Sequence, residues 1–355
     1  MNITDLKKVL NLAEPFLMQS DFIPILQHFW FHPKHITAYN DIQCIQLAFP
    51  SDLHCAVPGK IFTKLLSTIT ATEVDVEMAG DKLLVGSGRN QSKLPTLSKD
   101  DFVFAFPTPT GTKISLDPDL SQGLEKCLTT VSHNPTHPER NGITFKITND
   151  SLTLFTTDGK TISRFTAEGN FKIPPTDELW VILPTFFCEQ LNKLMKEFKV
   201  PAELYFDESS ATAILGSNKI FSRLINAKPA AFEQAIKMSI PDLEETLLFG
   251  IPDELGPALD RAVLMLNPEK NIKNTSITVS PSGQMELLTE SDFGKSDDSI
   301  DIPQLEGMEY SIITEPTLMQ RACQICDEMT LTPRCFMFAT KDRKFHHLIS
   351  IKASQ

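Results

Sequence analysis

From residue 73 to residue 102 the chain reads "EVDVEMAGDKLLVGSGRNQSKLPTLSKDDF", with apolar and polar residues alternating and Gly-Ser steps breaking the runs. A period of two belongs to a half-buried strand and a short break at glycine to a hairpin turn. The stretch therefore predicts three antiparallel strands joined by tight turns. The pattern returns at residues 203 to 232, "ELYFDESSATAILGSNKIFSRLINAKPAAF". At a constant offset of 130 (203 − 73), without a gap, Glu73 aligns with Glu203, Val74 with Leu204, Val76 with Phe206 and Val85 with Leu215. Gly86 then aligns with Gly216, Ser87 with Ser217, Ser92 with Ser222, Lys93 with Arg223, Leu94 with Leu224 and Phe102 with Phe232. The "GSG" of residues 86 to 88 is part of a repeated element, and it lacks the lysine that a phosphate-binding loop carries after its glycines.

A helical period precedes each copy. In "VPGKIFTKLLSTI" the residues Ile61, Phe62, Leu65, Leu66 and Ile69 share one face and leave Lys60 and Lys64 on the other. In "LPTFFCEQLNKLMKEF" the buried face is Phe187, Leu191, Leu194 and Phe198, with Lys193 and Lys196 outside. Both helices open with a proline near the first turn, where its missing N–H is not needed. A weaker third copy closes the chain, with "EPTLMQRACQICDEM" as helix, opened by Pro316, and "RCFMFATKDRKFHHLISIKA" as strands.

The other half of each unit recurs too. A helix comes first ("LKKVLNLAEPFL", "DPDLSQGLEKCLTTVSH", "PDELGPALDRAVLMLN"), then strands ("ITAYNDIQCIQLAF", "GITFKITNDSLTLFTTDGKTISRFTAEG", "NTSITVSPSGQMELLTESDF"). The reading is an α+β chain of three repeated units of about 118 residues, each with two helices packed on antiparallel sheets. Turn-forming linkers at "FPTPTGTK" and "AIKMSIPDLEE" set the expected domains at 1–110, 111–236 and 237–355.

At 355 residues the chain exceeds what one core usually supports, which agrees with several domains. The balance of 33 Lys and Arg against 45 Asp and Glu gives a net charge of −12, so a nucleic acid would be repelled unless basic residues gather on one face. Seven irregularly spaced cysteines, with no secretion signal at "MNITDLKKVL", argue for reduced thiols and a cytoplasmic location. The longest apolar run, "LWVILPTFFC", is interrupted by Pro184 and is too short for a membrane helix.

The proline-opened helix, the strand ending "GSGRNQSKLPTLSKDDF", the "TTDGKTI" of the middle unit and "FSRLINAKPAAF" together resemble the bacterial-type DNA sliding clamp, the beta subunit of the replicative DNA polymerase III. The sharpest motifs are the serine-basic-leucine-proline run leading to Asp101 and Phe102, and the threonine-aspartate-glycine turn. The resemblance implies a non-enzymatic processivity factor without cofactors: three domains in an arc, helices inside, two arcs closing into a homodimeric ring around double-stranded DNA. It places phosphate-facing residues at Lys7, Lys8, Lys60, Lys64, Lys193, Lys196 and Arg321, and at His133 and Asn134 after the first helix of the middle unit. It also implies a pocket for short peptide motifs of polymerase and clamp loader. By position the wall is Arg140, Thr157, Gly159, Lys160, Ile162, Ala230, Phe232, Gln234 and Ala235, with Ile349 and Ile351 standing in for the family's apolar tail. This chain has Lys160 and Thr161 where the family has a histidine-arginine pair, and it ends "LISIKASQ". Such departures suit a phage-encoded or otherwise remote clamp, acting in the host cytoplasm.

Rival chemistry is thin. "DFG" at 292 to 294 lacks the other kinase motifs, and no HExxH, GxSxG or triad is present. Cys323, Cys326, Cys335 and His346 or His347 could in principle close a zinc site, but the Cys pair lies within a helical pattern (Leu318, Ala322, Ile325, Met329) that suits small core residues. The alternative function is a repeat-built protein-interaction scaffold, zinc-stabilised in one version, that never encircles DNA.

Overall fold

Alternation and helical period are realised in the three repeats, in a computed structural model that describes residues 1–19, 23–97, 105–118, 120–173, 178–270 and 272–353. The first repeat runs α1 (Ile3–Ala13), β1 (His28–His32), β2 (His35–Tyr39), β3 (Gln43–Ala48), β4 (Cys55–Pro58), α2 (Gly59–Ser67), β5 (Asp75–Ala79), β6 (Lys82–Ser87) and β7 (Asn90–Pro95). The second adds β8 (Thr112–Leu116), then α3 (Leu120–Leu128), β9 (Gly142–Ile147), β10 (Ser151–Thr157), β11 (Thr161–Glu168), β12 (Leu179–Pro184), α4 (Thr185–Phe198), β13 (Ala202–Phe206), β14 (Ser210–Leu215) and β15 (Asn218–Arg223). After α5 (Phe232–Ser239) the third has β16 (Phe249–Gly250), α6 (Leu255–Leu264), β17 (Thr275–Val279), β18 (Gln284–Ser291), β19 (Gly294–Asp301), β20 (Tyr310–Thr314), α7 (Pro316–Ile325), β21 (Glu328–Leu331), β22 (Cys335–Ala339), β23 (Phe345–Ser350) and β24 (Lys352–Ala353). The order helix, four strands, helix, three strands thus occurs three times.

The chain forms two compact units, and the middle repeat is divided between them: residues 1–121 with 172–175 and 186–226, and residues 122–171 with 176–185 and 227–355. The first unit holds an eight-stranded sheet in the order β4-β1-β2-β3-β15-β14-β13-β8 and the three-stranded sheet β5-β6-β7. The second holds β12-β9-β10-β11-β23-β22-β21-β16 and the five-stranded β19-β18-β17-β20-β24. Each eight-stranded sheet therefore joins four strands from one repeat to four from another. At the first seam β3 pairs with β15, Cys44 opposite Phe221, and Gln43 Nε2 donates to Ser222 Oγ at 3.2 Å. At the second, β11 pairs with β23, Ile162 opposite Leu348.

Cores form where the apolar sides of helices meet these sheets. In the first unit Leu6, Leu10, Phe31, Phe62, Leu66 and Phe187 are fully buried, with Phe31 edge-on to Phe62 at 6.0 Å. Gly59, opening α2, lies so close to Leu17 that a Cβ would stand 2.1 Å from its Cδ1. Ile61, expected on the buried side of α2, is 56% exposed. In the second unit the fully buried aromatics include Phe145, Phe155, Phe336, Phe338 and Phe345.

The repeated hairpins are present, but their register corrects the alignment. Gly88 (φ +62°) and Gly216 (φ +63°) each occupy the first position of a two-residue turn, between Ser87 and Asn90 and between Leu215 and Asn218. The structural offset is 128 (216 − 88), so Gly86 is not the partner of Gly216. A slip of two residues keeps every side chain on its own face, and the hydrophobic pattern cannot detect it. The stretch assigned to a linker after residue 234 is helical in its first part, as α5. Asp101 and Phe102 lie outside the described residues.

All seven cysteines are free, and six are buried. Burial pushes the thiols of Cys323 and Cys326 up to about 12, so neither is a ready thiolate. Among the described residues no three of His, Cys, Asp and Glu come together as metal donors. No described helix is long and apolar enough to cross a membrane.

Candidate functional site

In the second unit, the turn between β10 and β11, the start of α5 and the ends of β22 and β23 surround a cavity of about 360 Å³. Its floor follows from strand parity. Ile162 opposes Leu348, Leu348 opposes Met337, and Cys335 opposes Ser350, so these side chains share one face of the sheet. Behind them Phe155 stacks on Phe232 at 5.1 Å and on Trp180 at 5.9 Å, with Ile236, Ile240 and Leu243 completing an apolar cluster.

The turn is held by its own side chains. Asp158 Oδ1 accepts from the N–H groups of Lys160 at 2.9 Å and Thr161 at 2.8 Å, while Thr157 Oγ1 donates to Thr161 O at 2.6 Å. Gly159, at φ +91°, adopts the left-handed backbone such a turn requires, and a Cβ on it would meet Arg140 Nη1 at 2.7 Å.

Of the residues expected around a peptide pocket, Arg140, Thr157, Gly159, Lys160, Ile162, Ala230, Phe232 and Ala235 line this cavity together. Gln234 is exposed on α5 and lies outside the lining. Ile349 is fully buried on the opposite face of β23, and Ile351 also falls outside; Leu348 and Ser350 take their places. A strand shows every second residue to one side, so the correction is one of parity. Cys335 and Ser239 line the cavity as well, and no local pattern in the sequence points to them. Beneath the floor His347 Nδ1 meets Ser163 Oγ at 2.8 Å, and Ser163 Oγ meets Thr130 Oγ1 at 2.7 Å. Burial pushes the His347 imidazole down to about 4, so it packs there uncharged.

The six lysines expected to face phosphate all belong to the first unit, on α1, α2 and α4. Lys8 forms an ion pair with Glu197, which ties α1 to α4, and Lys7 Nζ donates to Ile69 O at 3.2 Å just beyond α2. A groove of about 860 Å³ between these helices is lined by Thr4, Lys7, Lys8, Asn11, Ser67 and Glu197, among others. Lys60, Lys64, Lys193 and Lys196 are exposed. In a chain of net charge −12 this concentrates cationic side chains on neighbouring helices.

Arg321 is placed differently. Its Nη1 donates to Thr129 O at 2.9 Å and lies 3.8 Å from Asp158 Oδ2, so the guanidinium ties α7 to the end of α3 and to the cavity's turn. His133 and Asn134 stand in an exposed loop, where Asn134 Oδ1 accepts from Thr136 N at 3.0 Å and shapes the turn.

Residues 118–229 match the family model described as DNA polymerase III beta subunit, central domain. A beta sliding clamp of Chlamydia muridarum is 23% identical over 250 residues, covering 65% of this chain and 64% of the relative. The chain thus spans just under two thirds of that relative's length. A beta sliding clamp of Synechocystis is 25% identical over 290 residues, covering 75% of this chain and 73% of the relative. Among solved structures the Bacillus subtilis DNA polymerase sliding clamp agrees with a TM-score of 0.85 at 19% identity, over 100% of this chain and 98% of that one. The Thermotoga maritima DNA polymerase III beta subunit gives 0.84 at 16%, over 100% and 99%. The fold shared with these proteins extends from one end of the chain to the other.

Proposed function

We propose that this chain, a divergent bacterial-type sliding clamp, encircles duplex DNA as a homodimeric ring and tethers a polymerase and other DNA-processing proteins through short peptides. The observation that carries the reading is the agreement of the whole chain with clamp structures at a TM-score of 0.85. The lysines of α1, α2 and α4 support it, since a sequence-independent partner needs only cationic contact with phosphate. The chain acts without catalysis, in the cytoplasm, and its domains are the three repeats 1–110, 111–236 and 237–355. In support of that division, each repeat contains a helix, four strands, a second helix and three strands in that order, with β8, α5, β16 and β24 outside it.

A ring of two identical arcs needs a self-associating surface. Leu264, 70% exposed at the end of α6, and Phe293, 62% exposed in the β18–β19 turn, belong to segments in contact: a Cβ on Gly294 would stand 3.2 Å from Met265 Sδ. Charged pairs flank them, Arg261 with Asp298 and Lys270 with Asp292. Light scattering across concentration should give twice 39.7 kDa for the native chain, and 39.7 kDa for the double variant Leu264→Asp, Phe293→Asp. A native chain that stays monomeric at every concentration would favour the scaffold that never closes on DNA.

A further inference from the structure

Three of the chain's eight histidines stand side by side at one end of the eight-stranded sheet of the first unit. His32 ends β1 and opposes His35, the first residue of β2, across the turn made by Pro33 and Lys34. His54 directly precedes β4, and the antiparallel register of β4 on β1, with Phe31 opposite Cys55, carries it to the position opposite His32. Directly opposed residues of neighbouring strands put their side chains on one face of a sheet. Three adjacent strands therefore present a single row, His54, His32, His35.

The rings in that row are close. His32 and His35 stack with centroids 4.5 Å apart, and His32 and His54 lie 5.6 Å apart, tilted at 52°. The backbone beneath them is tied down. Ser51 N donates to Pro33 O at 3.2 Å, Phe49 N to Lys34 O at 3.0 Å, and Ser51 Oγ to His32 O at 3.4 Å, which fixes the segment leading to His54 against the β1–β2 turn. His54 is exposed and the other two are half-buried, and among the described residues no ring nitrogen of the three has a hydrogen-bond partner in the protein.

An uncharged imidazole offers one lone pair, and it is a ligand that suits zinc, nickel and copper. Two imidazoles on one tetrahedral zinc, each with a Zn–N bond of about 2.0–2.1 Å, hold their ring centroids roughly 5 Å apart. The separations of 4.5 and 5.6 Å bracket that value. As they stand, the rings are stacked and tilted and do not converge on one point, so binding turns them about their side-chain bonds on a backbone already in place.

We propose that His32, His35 and His54 form a binding site for a divalent transition-metal ion of the zinc type, with His32 at its centre. The ion clips β4, the end strand in the order of the sheet, to β1 and β2, and its fourth position is left to water. β4 runs directly into α2, so the clip steadies the strand from which that helix starts. Magnesium, which takes oxygen ligands, does not suit this donor set.

The test is calorimetric titration of zinc chloride into the full-length protein, free of any affinity tag and stripped with a chelator. One zinc per chain should bind with a Kd of about 1 μM, and magnesium should give no heat. A lost ligand costs more than the about 10- to 100-fold of a lost outer-sphere partner, so His32→Ala should weaken binding by at least about 100-fold, and His35→Ala and His54→Ala by at least about tenfold each. His137→Ala, at an exposed histidine outside the row, should bind as the native chain does. Excess zinc should also raise the melting midpoint of the native protein and leave that of His32→Ala unmoved, and melts without zinc show that each variant is folded. A Kd weaker than about 1 mM in the native protein would overturn the site. Native affinity in His32→Ala would overturn it too, since zinc would then be held elsewhere, as by the free cysteines. Loss in His32→Ala with no change in either His35→Ala or His54→Ala would overturn the row as the ligand set.

Discussion

Replacing Gly159 by leucine is expected to weaken peptide binding by about 100-fold or more, because a few buried anchors carry most of the affinity of so small an interface. Two effects act at once. At φ +91° a side chain with a Cβ is strained by about 1–2 kcal/mol, and that Cβ would meet Arg140 Nη1 at 2.7 Å, so the guanidinium, which lines the cavity, must move. The leucine then narrows the entrance to a cavity of about 360 Å³. The strain falls on an exposed turn and not on the Phe155, Trp180 and Phe232 stack, so the protein should still unfold cooperatively, with a midpoint lowered by a few degrees. Titration of the glutamine-led peptide and a thermal melt decide it. Unchanged affinity in a folded variant would move the peptide site elsewhere.

The second large effect concerns DNA. Lys60, Lys64 and Lys193 are exposed, and none has a side-chain ion pair among the described residues. Reversing the three to glutamate should lower affinity for random duplex at low salt by at least about 100-fold, and should flatten the plot of log affinity against log salt by about 0.9 for each phosphate that is no longer neutralised. All three side chains point away from the cores formed by Phe62, Leu66, Phe187 and Leu191, so the fold and the dimer mass should not change. Binding isotherms at several salt concentrations give both quantities. An unchanged slope would show that phosphates do not meet these helices.

How much of this is legible in the sequence follows from the range of each interaction. Period-two alternation is a local signal, and it finds β5 to β7 and β13 to β15; helical spacing likewise finds α2 and α4 with their lysines outside. Local signals fix faces but not register, which is why the repeat aligns well at 130 although its turns lie 128 apart. The same limit explains Ile349. Apolar residues at 348, 349 and 351 do not say which of them faces the cavity, and pairing of β23 with both β11 and β22 decides it. The helix α5 has just two buried positions, Phe232 and Ile236, too few to reveal a period. Arg321 has the look of a free cation on a helix face, and its partners Thr129 and Asp158 are more than 160 positions away. Glu315 on Lys160 and Glu197 on Lys8 are hidden for the same reason.

Encirclement is the central claim, and topology distinguishes it from ordinary affinity. A ring in equilibrium with its halves can pass over the end of a linear duplex without a loader; a groove binder gains nothing from an end. Linear DNA biotinylated at both ends would be incubated with the protein, closed with streptavidin, and washed at about 0.5 M salt, where attraction to phosphate is largely screened. The account predicts that protein stays on the blocked DNA, escapes from an identical duplex with open ends, and leaves the blocked DNA when a single internal cut creates ends. Dissociation at the same rate from blocked, open and cut DNA would contradict it.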